Sequence, residues 1–206
     1  MQSEPSPQIL TIGHSNHSIE RFIELLRAHR VSSIADVRSS PYSQYNPQFN
    51  REQLQAALRA ARIGYVYLGD ELGARRAEPE CYVNGKARYD LICKAPRFQE
   101  GLRTVRKGTV QHRLALMCAE KDPITCHRAI LVCRHLRPAG IPIAHILHDG
   151  ELETTAAMEQ RLLMEAGCGE ANLFVTDQAA EIEYAYDVQG DRIAYTEQTV
   201  TAQERD

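Results

Sequence analysis

Short apolar segments alternate with amphipathic helix patterns along most of this chain, and this alternation limits the folds open to it. Five segments have the length and the aliphatic content of strands: residues 9–12, 31–37, 65–68, 114–118 and 143–147. Between them apolar residues recur at helical spacing. Strands that are separated by helices pair in parallel through right-handed crossovers. The sequence therefore predicts an α/β fold with a mainly parallel sheet of about five strands, flanked by helices.

The 206-residue length accommodates one sizeable α/β domain with an extension. No internal repeat or low-complexity linker divides the chain, so we expect a core domain over residues 8–167 and a C-terminal extension over residues 168–206, packed on the core or trailing from it. Residues 177–196 fit two structures. Ile182 and Tyr186 suit a helix, whereas Gly190-Asp191 would suit the turn of a hairpin. We favour the helix.

The segment 74–94 has little periodicity and carries four basic residues: Arg75, Arg76, Lys86 and Arg88. We predict a long loop here. Long loops within compact domains are often functional, and the charge would suit a lid over an anionic substrate. A solvated surface loop is the alternative.

Composition narrows the cellular setting and the partners. The formal net charge of −3 does not support nucleic-acid binding, and no apolar stretch approaches the roughly 20 residues that cross a bilayer. The amino terminus lacks the basic and apolar regions of a signal peptide, so we expect a cytoplasmic protein whose six cysteines are reduced. No C-x-x-C occurs, which argues against a thioredoxin-like motif or a paired-knuckle zinc site.

Every predicted strand ends in polar or charged residues. In parallel sheets of this class, ligands bind in the crevice outside the carboxyl ends of the strands. The strand-end residues are His14 and Ser15, Asp36 and Arg38, Asp70 and Glu71, Cys118 and Glu120, and His148 and Asp149. Their convergence predicts a polar pocket at that edge.

The segment after the strand at 114–118 carries the most chemistry. Cys118 and Glu120 leave the strand, a turn follows, and we predict a helix whose first turn carries Cys126, His127 and Arg128. The first turn of a helix has free N–H groups and the positive end of the helix dipole. Such a place favours anions and lowers the pKa of a thiol.

Several sequence blocks, in order, connect the chain to a known family. They are Thr11-Ile12-Gly13-His14-Ser15, Asp36-Val37-Arg38-Ser39-Ser40-Pro41, Phe49-Asn50, Tyr67-Leu68-Gly69 with Glu71-Leu72-Gly73, Cys118-Ala119-Glu120 and Cys126-His127-Arg128. Together they cover roughly residues 8–150 and resemble the bacterial and archaeal family called domain of unknown function 488. Ala74 stands where that family often has a second glycine. The resemblance implies an α/β protein and brings no settled activity with it.

The leading hypothesis is an enzyme, a hydrolase or group transferase, that acts on a small phosphorylated or nucleotide-like substrate. Arg38 and Arg128 would hold the negative charge of the substrate, together with helix N–H groups. Glu120 and His14 are the acid/base candidates. Two further catalytic candidates are Cys126, as a nucleophile, and His127, as a proton donor. Four further substrate-binding candidates are Asp36, Cys118, Ser15 and Glu71.

The same residues also have structural interpretations. Asp36 and Arg38 lie on one side of an extended segment and would form a salt bridge. Arg128 would bridge to an acidic residue, and Cys118 would be a buried strand-end cysteine.

Two other function classes stay open. The first is a non-catalytic module that binds a nucleotide, a nucleic-acid end or a metal, and the second is a thiol-based redox protein that uses Cys118 and Cys126. A mixed nitrogen, oxygen and sulfur metal site is conceivable from His14, Asp36, Cys118, Glu120, Cys126 and His127. The spacing of Cys118 and Cys126 fits no standard zinc module, so no residue is assigned as a metal ligand. The sequence assigns no cofactor and no oligomeric state, and the expected partner is a small anionic ligand.

Overall fold

The computed structural model describes residues 9–168 and 177–197. The strands in these ranges are β1 (Ile9–Gly13), β2 (Ser33–Asp36), β3 (Gly64–Tyr67), β4 (Tyr82–Val83), β5 (Lys86–Ala87), β6 (Leu114–Cys118), β7 (Ile143–Ile146) and β8 (Leu152–Thr154). The α-helices are α1 (Ile19–Ala28), α2 (Arg51–Ala60), α3 (Gly69–Leu72), α4 (Tyr89–Ile92), α5 (Pro96–Gly108), α6 (Arg134–Leu136), α7 (Thr155–Glu165) and α8 (Gln178–Ile193). A π-helix, Arg128–Cys133, runs directly into α6.

Six strands form one sheet in the order β3-β2-β6-β1-β7-β8. The first five pair in parallel, and β8 pairs antiparallel with β7 at one edge. The predicted α/β class, with a mainly parallel sheet, flanking helices and a C-terminal helix, is therefore confirmed. The strand count differs because β8 is a three-residue edge strand with a single aliphatic side chain, Leu152, which gives no apolar run to detect.

Side chains of the central strands alternate between two apolar layers, as the period of a strand requires. On one face Leu10, Ile12, Ala115 and Met117 pack with residues of α1 and α2. On the other face Ile9, Leu114, Leu116 and Cys118 pack with residues of α5 and the π-helix. Cys118 thus belongs to the face that the π-helix covers.

The segment 74–94 is not the long loop that we predicted. Strands β4 and β5 form a hairpin across Asn84-Gly85, where both residues have positive φ, 51° and 74°. An Asn-Gly pair with this backbone is a strong hairpin signal. We missed it because the flanking strands are only two residues long. A 3-10 turn, Pro79–Cys81, precedes the hairpin, and α4 follows it.

The C-terminal helix α8 packs on the core rather than turning back as a hairpin. Asp177 caps its N-terminus by accepting hydrogen bonds from the N–H groups of Ala179 and Ala180. Gly190 lies inside the helix, where its lack of a side chain lets the ring of Tyr89 approach. Residues 169–176 and 198–206 of the predicted extension lie outside the described residues. Among the described helices none combines the length and the apolar character that a bilayer crossing requires.

The register of the sheet places three strand ends together. Gly13 of β1 pairs with Cys118 of β6, and Asp36 of β2 pairs with Met117 of β6. Beyond the strands, the N–H of His14 donates to the carbonyl of Cys118 at 2.9 Å. The carboxyl ends of β2, β6 and β1 are therefore neighbours, whereas those of β3 and β7 lie outside them.

Gly13 allows this close approach. A Cβ at Gly13 would lie 1.9 Å from the carbonyl oxygen of Glu120, which is backbone and cannot give way cheaply. We expect Gly13→Ala to lower the free energy of unfolding by about 1–3 kcal/mol, measured by urea denaturation. Gly108→Ala is the matched control, because its Cβ would meet nothing nearer than 3.6 Å. Equal free energies of unfolding for the two variants would contradict the close approach of Gly13 to the Glu120 carbonyl.

Candidate functional site

A cleft of about 460 Å³ opens at the carboxyl ends of β2, β6 and β1. Five residues that the sequence nominated line it: His14, Arg38, Cys118, Glu120 and His127. They come from three different strand ends and from the segment before the π-helix. The cleft therefore lies where the parallel topology predicts a ligand crevice.

Arg38 is held in place by a buried ion pair. Its Nε and Nη2 donate to the two carboxylate oxygens of Asp36, at 2.9 and 2.7 Å. Nη2 also donates to the carbonyl of Phe49, and the hydroxyl of Tyr65 donates to Asp36 Oδ2. Burial alone would lower the pKa of Arg38, but the partnership with Asp36 raises it above its usual value. The guanidinium is thus a fixed positive charge.

His14 is a neutral imidazole with an assigned tautomer. Its Nδ1 lies 2.9 Å from the carbonyl oxygen of Ser15, which can only accept, so Nδ1 carries the proton. Nε2 then accepts from Arg38 Nη1 at 3.3 Å. The ring also stacks on Phe49, with 4.4 Å between centroids. Burial lowers the pKa of His14 from 6.5 to about 4, and the charge of Arg38 adds to this effect.

The helix that we predicted to carry Cys126 in its first turn begins later. Cys126 is extended, with φ −132° and ψ 135°, and the π-helix starts at Arg128. The Cys126 carbonyl accepts from the N–H groups of Ala129 and Ile130, and its sulfur lies 3.4 Å from the Arg128 nitrogen that donates to it. Cys126 therefore occupies the N-cap position usually taken by Ser, Thr, Asp or Asn. The prediction was wrong because a 3-10 turn, Pro123–Thr125, comes first.

Two thiols, a carboxyl group and an imidazole meet beside the cleft. Cys126 Sγ lies 2.9 Å from Glu120 Oε2, and His127 Nδ1 lies 3.7 Å from Cys118 Sγ and 4.0 Å from Cys126 Sγ. Donor atoms of these four residues all lie within 4.8 Å of one another. Both cysteines and His127 are buried, whereas Glu120 is exposed.

The two thiols have opposite pKa shifts. Burial raises the pKa of Cys118 well above its usual value, and the neighbouring Cys126 adds to this. Burial also opposes ionisation of Cys126, but the hydrogen bond from Cys118 and the charges of Arg128 and His127 lower its pKa well below the usual value. Although Glu120 is an exposed residue, its carboxyl group is partly buried against Cys126, and this burial and the charge of Cys126 raise its pKa. The cluster therefore favours ionisation of Cys126 over that of Cys118.

Arg128 is fully buried beneath this cluster. Its Nη1 donates to the carbonyl of Glu120 at 2.7 Å, and Nη2 donates to the carbonyl of Lys121 at 3.4 Å. Nε lies 3.4 Å from the hydroxyl of Thr11 on β1. Arg128 therefore binds the backbone of the turn after β6.

Five of the ten residues predicted to act in catalysis or substrate binding are not part of the cleft lining in the described structure: Arg128, Asp36, Cys126, Ser15 and Glu71. The strand-end residues Asp70, His148 and Asp149, which we expected at the same pocket, do not line it either. Asp36 contacts Arg38, and Cys126 contacts Glu120. Both residues therefore reach the cleft only through a neighbour that lines it. Ser15 is directed toward Asn16, and Glu71 follows β3, which lies outside the three central strands.

Several lining residues were not nominated from the sequence. Ser39, Ser40, Tyr42, Ser43 and Asn46 lie in the irregular segment after β2, and Thr125 precedes Cys126. Arg75 and Tyr89 come from the segment that we predicted as a basic loop, whereas Ile193 ends α8 and Tyr195 follows that helix. The basic character of residues 74–94 was a usable signal for Arg75. Nothing local in the sequence points to Tyr195.

The buried neutral state of His14 has a consequence for stability. Between pH 6.5 and about 4 the unfolded chain binds a proton at His14 that the folded protein does not, so stability is full above pH 6.5 and is lost as pH falls toward 4. In His14→Gln the amide oxygen can still accept a hydrogen bond from Arg38, but the side chain does not titrate. We therefore expect the free energy of unfolding of this variant to fall by roughly 2 kcal/mol less than that of the wild type when the pH is lowered. Urea denaturation at pH 7 and pH 4.5 measures it. Parallel pH dependence of the two proteins would rule out a buried neutral His14.

A family model described as "Domain of unknown function DUF488" matches residues 18–134. No curated protein shows significant similarity to the chain. The matched range includes β2, β6, Cys126, His127 and Arg128, and therefore most of the cleft floor. This chain belongs to the DUF488 family.

Proposed function

We propose that this protein is an enzyme, a hydrolase or group transferase, that acts on a small phosphorylated or nucleotide-like substrate in the cleft. The observation that carries the proposal is the position of Glu120. Glu120 is exposed and lines the cleft, and its carboxyl group lies 2.9 Å from a buried thiol that can exchange a proton with it. A positioned carboxyl group of this kind is suited to general acid or base catalysis.

The size and polarity of the cleft support a small charged ligand. Its volume of about 460 Å³ lies within the range of small-molecule sites, roughly 300–1,000 Å³. Hydroxyl and amide groups line one wall, and Tyr89 and Tyr195 offer ring faces or edges. Such a lining can bind both a phosphate and a flat base.

Two arginines supply positive charge for the substrate. Among the described residues, four of the five N–H groups of Arg38 have acceptors, and the fifth, on Nη1, belongs to a side chain that lines the cleft. Arg75 is exposed, and its guanidinium carbon lies 4.6 Å from the ring centre of Tyr195. Because this stacking leaves the edge of the guanidinium open, Arg75 is the better placed of the two to bind a phosphate oxygen.

The setting that fits this chemistry is the cytoplasm. Cys118 and Cys126 stand as free thiols, like the other four cysteines of the chain. Thiols persist in the reducing cytoplasm and are oxidised in secreted proteins. A cytoplasmic location is thus part of the proposal.

A thiol-based redox function is the second candidate. The observation that favours it is the proximity of the Cys118 and Cys126 donor atoms, within 4.8 Å of each other. Treatment with hydrogen peroxide would then join the two peptides by a disulfide, visible as a loss of two hydrogen masses. Peptides that remain separate after oxidation exclude this function.

Removal of the Glu120 carboxyl group tests the leading proposal. Turnover is first sought on a panel of phosphomonoesters, phosphodiesters and nucleotides. Glu120→Gln is then expected to reduce kcat by about 10²–10⁴-fold with little change in KM, because proton transfer is lost and binding is not. Glu100→Gln, at an exposed carboxylate paired with Arg103 on α5, is the control and keeps wild-type kcat. No turnover on any member of the panel, or equal kcat for both variants, would refute the proposal.

Anion binding is tested separately from catalysis. We expect Arg75→Gln to weaken binding of inorganic phosphate and of a nucleoside monophosphate by about tenfold, measured by calorimetry, because one charge-assisted hydrogen bond is lost. Arg103→Gln removes an exposed charge outside the cleft lining and serves as the control. The same affinity for both variants would show that Arg75 does not bind the anion.

A further inference from the structure

We propose that the end of β6 and the segment before the π-helix form a site for one Zn²⁺ ion, with Cys118 Sγ, Cys126 Sγ and His127 Nδ1 as ligands. The fourth position is open to the cleft beside Glu120. Cys118 precedes the connecting segment 119–125, and Cys126 and His127 follow it, so the ligands converge from its two ends. Each of the three side chains is at least nine-tenths buried. Cys118 and His127 also line the cleft, which places the open position there.

The distances between the ligand atoms suit a tetrahedral ion. With bonds of about 2.3 Å to sulfur and 2.0–2.1 Å to nitrogen, adjacent ligand atoms are separated by roughly 3.5–3.8 Å. His127 Nδ1 lies 3.7 Å from Cys118 Sγ and 4.0 Å from Cys126 Sγ. For these two pairs, shifts of a few tenths of an ångström, within the reach of side-chain rotation, give coordination distances. The two sulfur atoms lie within 4.8 Å of each other, and binding of the ion would draw them closer.

The tautomer of His127 is the one that a metal ligand needs. Nε2 lies 2.9 Å from the carbonyl oxygen of Val37 on the neighbouring strand end, so Nε2 carries the proton. In the neutral ring, which is the form that binds a metal, the lone pair of Nδ1 therefore faces the two sulfur atoms. A hydrogen bond from the second ring nitrogen to a backbone carbonyl is the usual outer-shell support of a metal-bound histidine.

The charges around the site balance when the ion is present. Two thiolates cancel the charge of Zn²⁺, and the Glu120 carboxylate cancels that of Arg128, whose guanidinium lies 2.7 Å from the Glu120 carbonyl. The backbone N–H of Arg128 donates to Cys126 Sγ, as it would to a metal-bound thiolate. A buried group of charges that sums to zero avoids most of the desolvation cost of an isolated charge.

The donor types select the ion. Two sulfurs and an imidazole are typical of zinc and disfavour magnesium and calcium, which bind oxygen ligands. Two cysteines and one histidine with an open position is a known arrangement of catalytic rather than structural zinc. The seven residues between Cys118 and Cys126, and the adjacent placement of His127, match no common spacing motif, so the site is recognisable only from the fold.

The zinc site goes beyond the proposed function and does not depend on it. With the ion bound, Cys126 is a ligand and not a nucleophile, and a Cys118–Cys126 disulfide cannot form. Glu120 stays free for proton transfer. A protein that binds zinc but turns over nothing would leave this inference standing and remove only the proposed reaction.

The whole 206-residue chain, purified with a thiol reductant and stripped with a chelator, is titrated with Zn²⁺ and with Co²⁺. We expect one ion per chain, and for Co²⁺ the strong visible bands of a tetrahedral ion together with a thiolate-to-cobalt band in the near ultraviolet. These measurements need no variant, so they stand even if a substitution disturbs folding.

Variants then assign the ligands. Cys118→Ser, Cys126→Ser and His127→Gln are each expected to weaken Zn²⁺ binding by more than about 100-fold, since even loss of an outer-shell partner costs roughly 10–100-fold. Cys93→Ser is the matched control, at a half-buried thiol outside the cluster, and binds Zn²⁺ like the wild type. Glu120→Gln also retains the ion.

Three results would overturn the inference. The first is substoichiometric binding of both ions, and the second is a cobalt spectrum without a thiolate band. The third is an equal loss of affinity in Cys93→Ser and Cys118→Ser. Loss of the ion in Glu120→Gln would contradict the open fourth position.

Discussion

The geometry of the cleft depends on the buried guanidinium of Arg128. It joins three elements, because it donates to two carbonyls of the turn after β6, contacts Thr11 of β1 and projects from the π-helix. A charged side chain with 0% exposure is costly unless its donors are matched and its charge is compensated. The turn carbonyls match the donors, and the cluster of Glu120 and Cys126 supplies the negative charge. The strand end, the turn and the helix start are therefore fixed as one unit.

This use of Arg128 changes how an anion would be recognised. The sequence nominated Arg128 and Arg38 together, yet Arg128 faces backbone and Arg38 is paired with Asp36. Most of the positive charge at the strand ends is thus already compensated within the protein. For the substrate that we propose, most of the positive charge would therefore come from the cleft wall, where Arg75 is exposed. Recognition therefore depends on a part of the chain that only the tertiary fold brings to the strand ends.

Regular patterns in the sequence were sufficient for the framework. Apolar runs and helical stripes predicted the parallel sheet, and the strand-end rule brought His14, Arg38, Cys118 and Glu120 to one place. The order of the strands explains what failed, since β3 lies outside the central three and takes Glu71 away from the cleft. Short elements were also missed, because two-residue strands such as β4 have no periodicity to detect. The contribution of Tyr195 comes from long-range packing of α8, which no local pattern encodes.

The start of the π-helix shows why the spacing of cysteines in the sequence does not reveal the cluster of Cys118, Cys126 and His127. Cys126 was expected inside the helix, where its sulfur would have followed the helical face. The backbone of Cys126 is instead extended, and its sulfur accepts the N–H of Arg128 at the start of the helix. The sulfur therefore lies on the side of Cys118, within 4.8 Å of the Cys118 sulfur. His127 then directs Nδ1 to the same point, because Val37 holds its other nitrogen. Cys126 and His127 can meet Cys118, eight positions before Cys126, only because the backbone changes direction in the segment that connects them. The chemistry of the cluster follows from this change of direction and not from the cysteine spacing.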